Sequence, residues 1–497
     1  MEVYIALIGI IISLLYFYIK HTLSYWKRRK IPHETPHFPL GNLKEWRKTK
    51  HLVEILNPIY AKYKGTSPYV GFYFLMRPTI IALDLNFIKN ILIKDFDKFD
   101  DRGMFNNEDV DILSGHLFRL DGHKWRPLRH KLTPTFTSGK MKFMFPTVVS
   151  VGATLVKVFE ENCLTAKDGI LEITDIVGRF TADVIGTCAF GLECNSLCNP
   201  NAEFCVYGKR SFIDHHHGKL IDGFIEAFPS LAHKLHMRQT HTDLEKFYTR
   251  IVKETVEYRE KNKIERNDFM HLLIEMKNSQ ENGITLNEII AQSFVFFVAG
   301  YETSSTTMAF ALYELAQHQD IQEKMRTEIS EVLKRHNNEF TYEFINELKY
   351  VKQVMYETLR KYPILPHLRR RSNAHYTMAD SKYDIEVDTK IIIPIYAIHY
   401  DPDIYPEPHK FIPERFSDEE IRKRPACSWL PFGEGPRNCI GLRFGKMQTS
   451  IGLAYLIKNF KFSLCNETPK ELKWDLSNLL LSFVNGLYLK VERINEN

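Results

Sequence analysis

No stretch of this 497-residue chain constrains its fold more than Leu286–Leu315. Thr285-x-x-Glu288 at its start reads as a capping box, hydroxyl to backbone N–H and carboxylate reaching back. Ile289, Ile290, Phe294, Phe296, Phe297 and Val298 make the helix apolar nearly all round, so it must run through a core with other elements on every side. Its middle breaks the local rules. Gly300 sits mid-helix, at a cost of about 1 kcal/mol against alanine. Glu302 puts a charge in an apolar stretch, and five hydroxyl residues follow from Thr303 to Thr307. Such violations inside a buried helix mark a functional site, or else a kinked helix tuned for packing.

A second stretch, Phe432–Gly441, reads Phe-Gly-Glu-Gly-Pro-Arg-Asn-Cys-Ile-Gly. Gly433, Gly435 and Pro436 disfavour helix and permit a tight turn. Gly441 would let a bulky planar group approach the backbone. A helix-like run follows from Leu442 to Leu456, which places Cys439 at a helix start. Free N–H groups and the positive dipole end favour thiolate there, and thiolate sulfur is a soft ligand suited to haem iron. A buried apolar filler is the plainer reading of a lone cysteine.

Three more groupings are weak singly. Trp125 and Arg129 stand four apart, sharing a helix face where an indole N–H and a guanidinium could hold a carboxylate. Glu357 and Arg360 share a face of a helix reading from Glu347 to Lys361, ended by Pro363. Phe411-Ile412-Pro413-Glu414-Arg415-Phe416 follows. In order, the chain shows Trp-x-x-x-Arg, Ala-Gly-x-Glu-Thr at 299–303, Glu-x-x-Arg, Pro-Glu-Arg-Phe and Phe-x-x-Gly-x-Arg-x-Cys-x-Gly. That set resembles the cytochrome P450 monooxygenases over essentially the whole chain. Phe-x-x-Arg-Gly at 99–103 and the loop Pro-Phe-Gly-Glu-Gly-Pro-Arg-Asn-Cys resemble the insect microsomal, xenobiotic-metabolising members.

The resemblance implies a mainly α fold with a minor β subdomain, and haem b (iron protoporphyrin IX) with Cys439 as axial thiolate. Arg102, Trp125, Arg129, Arg370 and Arg437 would contact the haem propionates, with Phe432 shielding the sulfur. Ala299 and Gly300 would leave a groove for O2, Thr303 would donate a hydrogen bond to it, and Glu302 would help relay protons. Glu357, Arg360 and Arg415 would form a buried ion lock behind the haem. Among the three consecutive arginines 369–371, the count from Pro363 selects Arg370, so that Ile364, Leu365 and His367 border the substrate pocket.

Val3–Ile19 is an uncharged apolar run followed by Lys20 and by Lys27-Arg28-Arg29-Lys30. Positive charge after the run, none before it and no small residues at its end read as an uncleaved anchor with the body in the cytosol. A glycan on the Asn466 sequon would reverse that topology. Pro32, Pro36, Pro39 and Gly41 read as a stiff non-helical connector. The expected units are thus an anchor at 1–20, a basic, proline-rich hinge at 21–45 and one haem-thiolate domain at 46–497, with strand-like runs at Pro68–Leu83, Lys390–Ala397 and near both ends of Phe462–Val491. Cys188, Cys194, Cys198 and Cys205 show no zinc spacing, and Asp214-His215-His216-His217 reads as a solvated loop, which the resemblance places in a lid over the pocket.

A net charge of +5 without a basic-aromatic repeat argues against nucleic acid. The chain carries no nicotinamide or flavin fingerprint, so electrons must come from a partner. For a microsomal member the resemblance implies NADPH–cytochrome P450 reductase, with cytochrome b5 as an assisting donor, membrane lipid around the anchor, and O2 plus an apolar small molecule as substrates. Lys124, Arg126, Arg443 and Lys446 could steer an acidic partner. The competing functions are a haem-thiolate isomerase or dehydratase working without reductase, and a haem-based binding protein.

Overall fold

A computed structural model describes residues 1–214, 216–266, 268–279, 283–378 and 383–494. The core helix runs Leu286–Gln317. It starts on the expected box: Glu288 N donates to Thr285 Oγ1 at 3.1 Å, and Thr285 N to the Glu288 carboxylate at 2.7 Å. Helices Ile173–Ile185, Thr242–Asn262, Lys349–Lys361 and Leu442–Asn459 surround it. All-round burial follows from the all-round apolar sequence. The lock helix thus begins two residues after the expected Glu347, and the helix after the cysteine loop runs three residues past Leu456.

The minor β part is a four-stranded sheet in the order Tyr69–Phe74, Arg77–Ala82, Lys390–Ile393, Leu368–Arg371. The first and last pairs are antiparallel and the middle pair is parallel. A second sheet joins Ile170–Glu172, Tyr488–Arg493 and Phe460–Ser463. The run at Lys390–Ala397 is only half strand. Pro394 has no N–H for the ladder, and the chain turns into the short helix Ile395–His399.

Helix Glu2–Leu23 buries no residue. Its 22 residues reach roughly 33 Å, enough for the hydrocarbon core of a bilayer. The following segment, expected as a basic, proline-rich hinge, packs on the body. Tyr25–Arg28 is helical, and Trp26 is 2% exposed, its indole N–H donating to Phe72 O at 3.0 Å. Gly71 makes room for it: a Cβ there would lie 2.5 Å from the indole. Gly71 N donates to Pro32 O at 2.8 Å, and Arg29 pairs with Asp384 and Glu386. The anchor therefore leads into a segment docked on the sheet, because its aromatic and basic residues find partners there.

All eight cysteines are unpaired. Among the described residues, no group of His, Cys, Asp and Glu has the arrangement of a metal site. His215 of the histidine tract lies outside the described residues.

Candidate active site

The cysteine loop is shaped by its glycines. Gly433 and Gly435 have φ of +69° and +73°. A Cβ on Gly435 would sit 1.9 Å from Leu92 O, so only glycine fits. Cys439 N donates to Phe432 O at 2.8 Å, closing the loop over its own cysteine. The surface Cys439 exposes is cavity surface. Burial pushes its thiol up, while the Gly441 N–H and the charges of Arg129, Arg102 and Lys446 pull it down. Burial outweighs them, contrary to the balance expected from the helix start alone; a metal cation deprotonates a coordinating thiol outright.

Phe432 lines the cavity beside Cys439 and meets Trp429 edge to face at 6.1 Å. Lys446 is not a free steering charge. Its ammonium donates to Tyr356 Oη at 2.5 Å and lies 5.5 Å from the Phe432 ring centroid, and burial pushes it down to about 8. Lys124 and Arg126 are likewise engaged, by Glu108 and Asp97. Arg443 stays exposed, with one long contact to Phe136 O at 3.4 Å.

Arg102, Arg129 and Arg437 line the cavity with Cys439, and Arg370 lies by Arg437. Arg102 donates to Phe118 O at 2.8 Å and Arg437 O at 3.2 Å. Arg129 donates to Asn438 O and Oδ1 at 3.0 and 2.9 Å. Arg437 donates to Leu120 O at 2.7 Å, and its guanidinium lies 4.2 Å from the Trp125 ring centroid. Trp125 thus serves the site as a π surface under Arg437. The strand Leu368–Arg371 decides among its three arginines by alternation. Arg369 pairs with Glu226 at 3.2 Å, and Arg371 with Asp101 and Asp121 at 2.8 Å each. Arg370, 1% exposed, points to the other face and, among the described residues, donates only to Arg369 O at 2.8 Å.

Among the described residues, no carboxylate forms an ion pair with any of these four arginines, so the cluster is starved of paired anions. Burial and the neighbouring Arg437 push Arg370 down to about 9 against the pull of Asp100; burial pushes Arg437 down to about 10, with Asp121, Asp101 and Asp100 offsetting it in part and Arg129 adding to it. Burial first, then Arg437, Arg370 and Arg129, lowers Arg102. Arg370 Nε and both Nε and Nη1 of Arg437 are buried without an acceptor. Buried donors of this kind call for a partner, and the two carboxylates of a haem supply the missing charge. The residues therefore fit that group.

Across the cavity, Ala299 and Thr303 line the wall. Thr303 Oγ1 donates to Ala299 O at 2.6 Å, and Thr307 Oγ1 to Thr303 O at 2.7 Å. These back-bonds satisfy hydroxyls inside the helix. Gly300 does not line the cavity. A Cβ on it would lie 2.3 Å from Ile185 Cδ1, so its small size serves the contact with helix Ile173–Ile185. Glu302 also lies off the cavity wall; burial pushes its carboxyl up to about 7, and Thr306 Oγ1 reaches it at 3.5 Å. Gly441 faces Phe136, whose ring would lie 3.9 Å from a Cβ on it, while Gly445, one helical turn on, lines the cavity. Ile364 and Leu365 border the cavity; His367 does not, and its Nδ1 is buried without a partner.

Behind the loop, Arg360 Nε and Nη2 donate to Glu357 Oε2 and Oε1 at 2.7 and 2.8 Å, both side chains being fully buried. Arg415 Nε stands 3.5 Å from Glu357 Oε1, and Ile412 N donates to the same oxygen at 2.9 Å. Arg360 also donates to His399 O at 3.0 Å, and His399 Nε2 accepts from Leu430 N at 3.0 Å. His399 thereby ties the lock to the strand of chain entering the cysteine loop. No spacing rule pointed to it, because its partners lie far away in sequence.

A helical body around one apolar cavity, with a cysteine on one wall and a hydroxyl-bearing helix on the other, defines a haem-thiolate oxidoreductase. The chain belongs to the cytochrome P450 family, whose model matches residues 31–489. It is similar to three proteins of Drosophila melanogaster. "Probable cytochrome P450 6a23" is 53% identical over 502 residues, covering 100% of both chains. "Cytochrome P450 6a8" is 52% identical over 495 residues, covering 97% of both. "Cytochrome P450 6a2" is 48% identical over 506 residues, covering 99% of this chain and 100% of that one. The protein is a monooxygenase.

Proposed function

We propose that this chain is anchored in the endoplasmic reticulum membrane by its first 20 residues or so, helix Glu2–Leu23, with residues 46–497 in the cytosol. Cys439 ligates haem b, and the enzyme inserts one atom of O2 into an apolar small molecule, a xenobiotic or an endogenous lipid. NADPH supplies electrons through NADPH–cytochrome P450 reductase, with cytochrome b5 as a second donor. The observation that carries this reading is that Cys439, Ala299 and Thr303 share a mostly apolar cavity of about 920 Å³.

When bound, haem supplies the redox chemistry, and a thiolate ligand, for which cytochromes P450 are the standing example, favours O–O cleavage. The chain's own groups do the rest. Arg102, Arg129, Arg370 and Arg437 hold the propionates by charge-assisted hydrogen bonds. Phe432 keeps water from the sulfur. Apolar walls take the substrate body and exclude water. Thr303 Oγ1 can turn from Ala299 O to place its proton in the cavity. Glu302, titrating near pH 7, can hold or release a proton at working pH.

The carbon monoxide difference spectrum of the reduced, membrane-bound protein tests the ligand. A thiolate-type Soret shift is expected, and Cys439→Ser should abolish it. Product formation that depends on both NADPH and reductase is then expected; turnover of a peroxide without reductase would replace this reading by isomerase or dehydratase chemistry.

A further inference from the structure

One stretch of the cavity wall, Ser477-Asn478-Leu479-Leu480, belongs to no helix or strand. Its shape is set locally. Leu480 N donates to Asn478 Oδ1 at 3.0 Å, Asn478 Nδ2 to Ser482 Oγ at 3.1 Å, and Ser477 N to Asp475 Oδ1 at 2.9 Å. Asp475 N donates to Ser482 O at 2.9 Å, closing the segment on itself. Its place against the body rests on less. Leu481 is buried in the same apolar cluster as Val53. Among the described residues, two hydrogen bonds leave residues 473–484. Leu481 N donates to Ile364 O at 2.8 Å, and the His51 ring meets Asn478 O at 3.3 Å.

His51 is 1% exposed and lies off the cavity wall, as the N-cap of helix Leu52–Tyr63. Its Nδ1 accepts from Val53 N at 3.3 Å, and its own N–H donates to the Glu54 carboxylate at 2.7 Å. Burial pushes the ring below the ordinary histidine range, with the bond to Asn478 O offsetting it in part, so the ring is neutral. Because Nδ1 accepts, the single proton sits on Nε2, the atom that meets Asn478 O. Histidine is not a preferred N-cap; Ser, Thr, Asp and Asn supply the acceptor with a shorter side chain. What imidazole adds is a donor on its far side. The cap fixes the ring, and the ring fixes the loop.

We propose that His51 is a positioning residue for the substrate cavity: capping helix Leu52–Tyr63 with one ring nitrogen and donating to Asn478 O with the other, it holds the wall segment 477–480 in the place that large substrates require. Small ligands that do not reach this wall are indifferent to it. The inference rests on the haem reading of this cavity.

The test uses the haem-loaded full chain and two azole probes, imidazole and the bulky clotrimazole, titrated at neutral pH by the Soret shift that binding produces. Two variants separate the roles of the ring. His51→Asn keeps a good cap but is too short to reach Asn478 O, whereas His51→Gln places an amide N–H near the position of Nε2 but caps poorly. His51→Asn should bind clotrimazole about fivefold or more weakly than wild type, and His51→Gln within about twofold of it. Melting temperatures should rank the other way, with His51→Asn at or above His51→Gln. Imidazole affinity should stay within about twofold in all three proteins. A preparation without the carbon monoxide band overturns the haem reading and this inference with it. With the band present, unchanged clotrimazole affinity in His51→Asn, or affinities that follow the melting temperatures, overturns this inference alone.

Discussion

Two buried clusters of charge are tied to the cysteine loop or to the chain entering it, and they are built in opposite ways. In the lock, Glu357 answers Arg360 with two short hydrogen bonds, Ile412 N and Arg415 approach the same carboxylate, and His399 O takes a further guanidinium N–H. Its charges are met within the protein, although Arg415 Nε, 3.5 Å from Glu357 Oε1, makes no hydrogen bond among the described residues. In the arginine cluster, Arg102, Arg129, Arg370 and Arg437 donate to carbonyl and amide oxygens, and three guanidinium nitrogens find no acceptor. A satisfied buried network holds the fold, whereas an unsatisfied one holds a place for a ligand. The same residue type serves both ends because the supply of carboxylates differs.

Breaking the lock should have the largest effect. Arg360→Ala strands the Glu357 carboxylate and should cost about 3–5 kcal/mol, read as a lower melting temperature and loss of stable haem. Normal haem content in that variant would end the contrast. Arg370→Leu should behave the other way. It removes an uncompensated buried cation, so the haem-free protein should melt no lower than wild type, while haem affinity falls by about 1.5–3 kcal/mol. Equilibrium transfer of haem to an acceptor protein measures the second quantity; equal losses of stability in the two variants would erase the distinction.

Thr303→Ala should touch neither cluster. It should keep haem content and NADPH consumption but lower product formed per NADPH by roughly tenfold or more, the electrons going to peroxide or water. Unchanged coupling would remove Thr303 from the mechanism. A further effect, confined to the pH dependence of stability, concerns Glu302, whose carboxyl burial raises from 4.5 to about 7. A raised carboxyl contributes stability that is complete below its unfolded value and is lost as pH rises through its folded value. Wild-type stability should therefore decline between about pH 4.5 and pH 7 by an amount that Glu302→Gln lacks. Parallel melting curves across that window would place Glu302 in a more solvated setting.

Much of this was readable before the structure because the residues are close in the chain. The Thr285–Glu288 cap, the glycines that turn the cysteine loop and the Glu357–Arg360 spacing are each set within a few residues. What failed was any judgement about which way a side chain points. Gly300 was expected at a groove and packs on Ile185 instead. His367 was expected at the pocket and lies beside it. Lys446 was expected at the surface and rests on Tyr356 and Phe432. The basic, proline-rich hinge was expected only as a connector, and its Trp26 is buried against the sheet. Each of these depends on a neighbour distant in sequence.

By itself, the amino-acid sequence determined that a buried helix with a hydroxyl-rich middle and a cysteine at the end of a glycine turn belong to one helical protein behind an apolar N-terminal helix. Apolar periodicity, capping and backbone freedom are local properties, and they carry that far. The count from Pro363 selected Arg370 through the resemblance, but only the tertiary structure supplied the physical reason that it, and not Arg369 or Arg371, joins the anion-starved cluster, since strand alternation hands its two neighbours to Glu226, Asp101 and Asp121. Charge balance in a buried site is a sum over every element packed around it, and no single stretch of chain contains that sum.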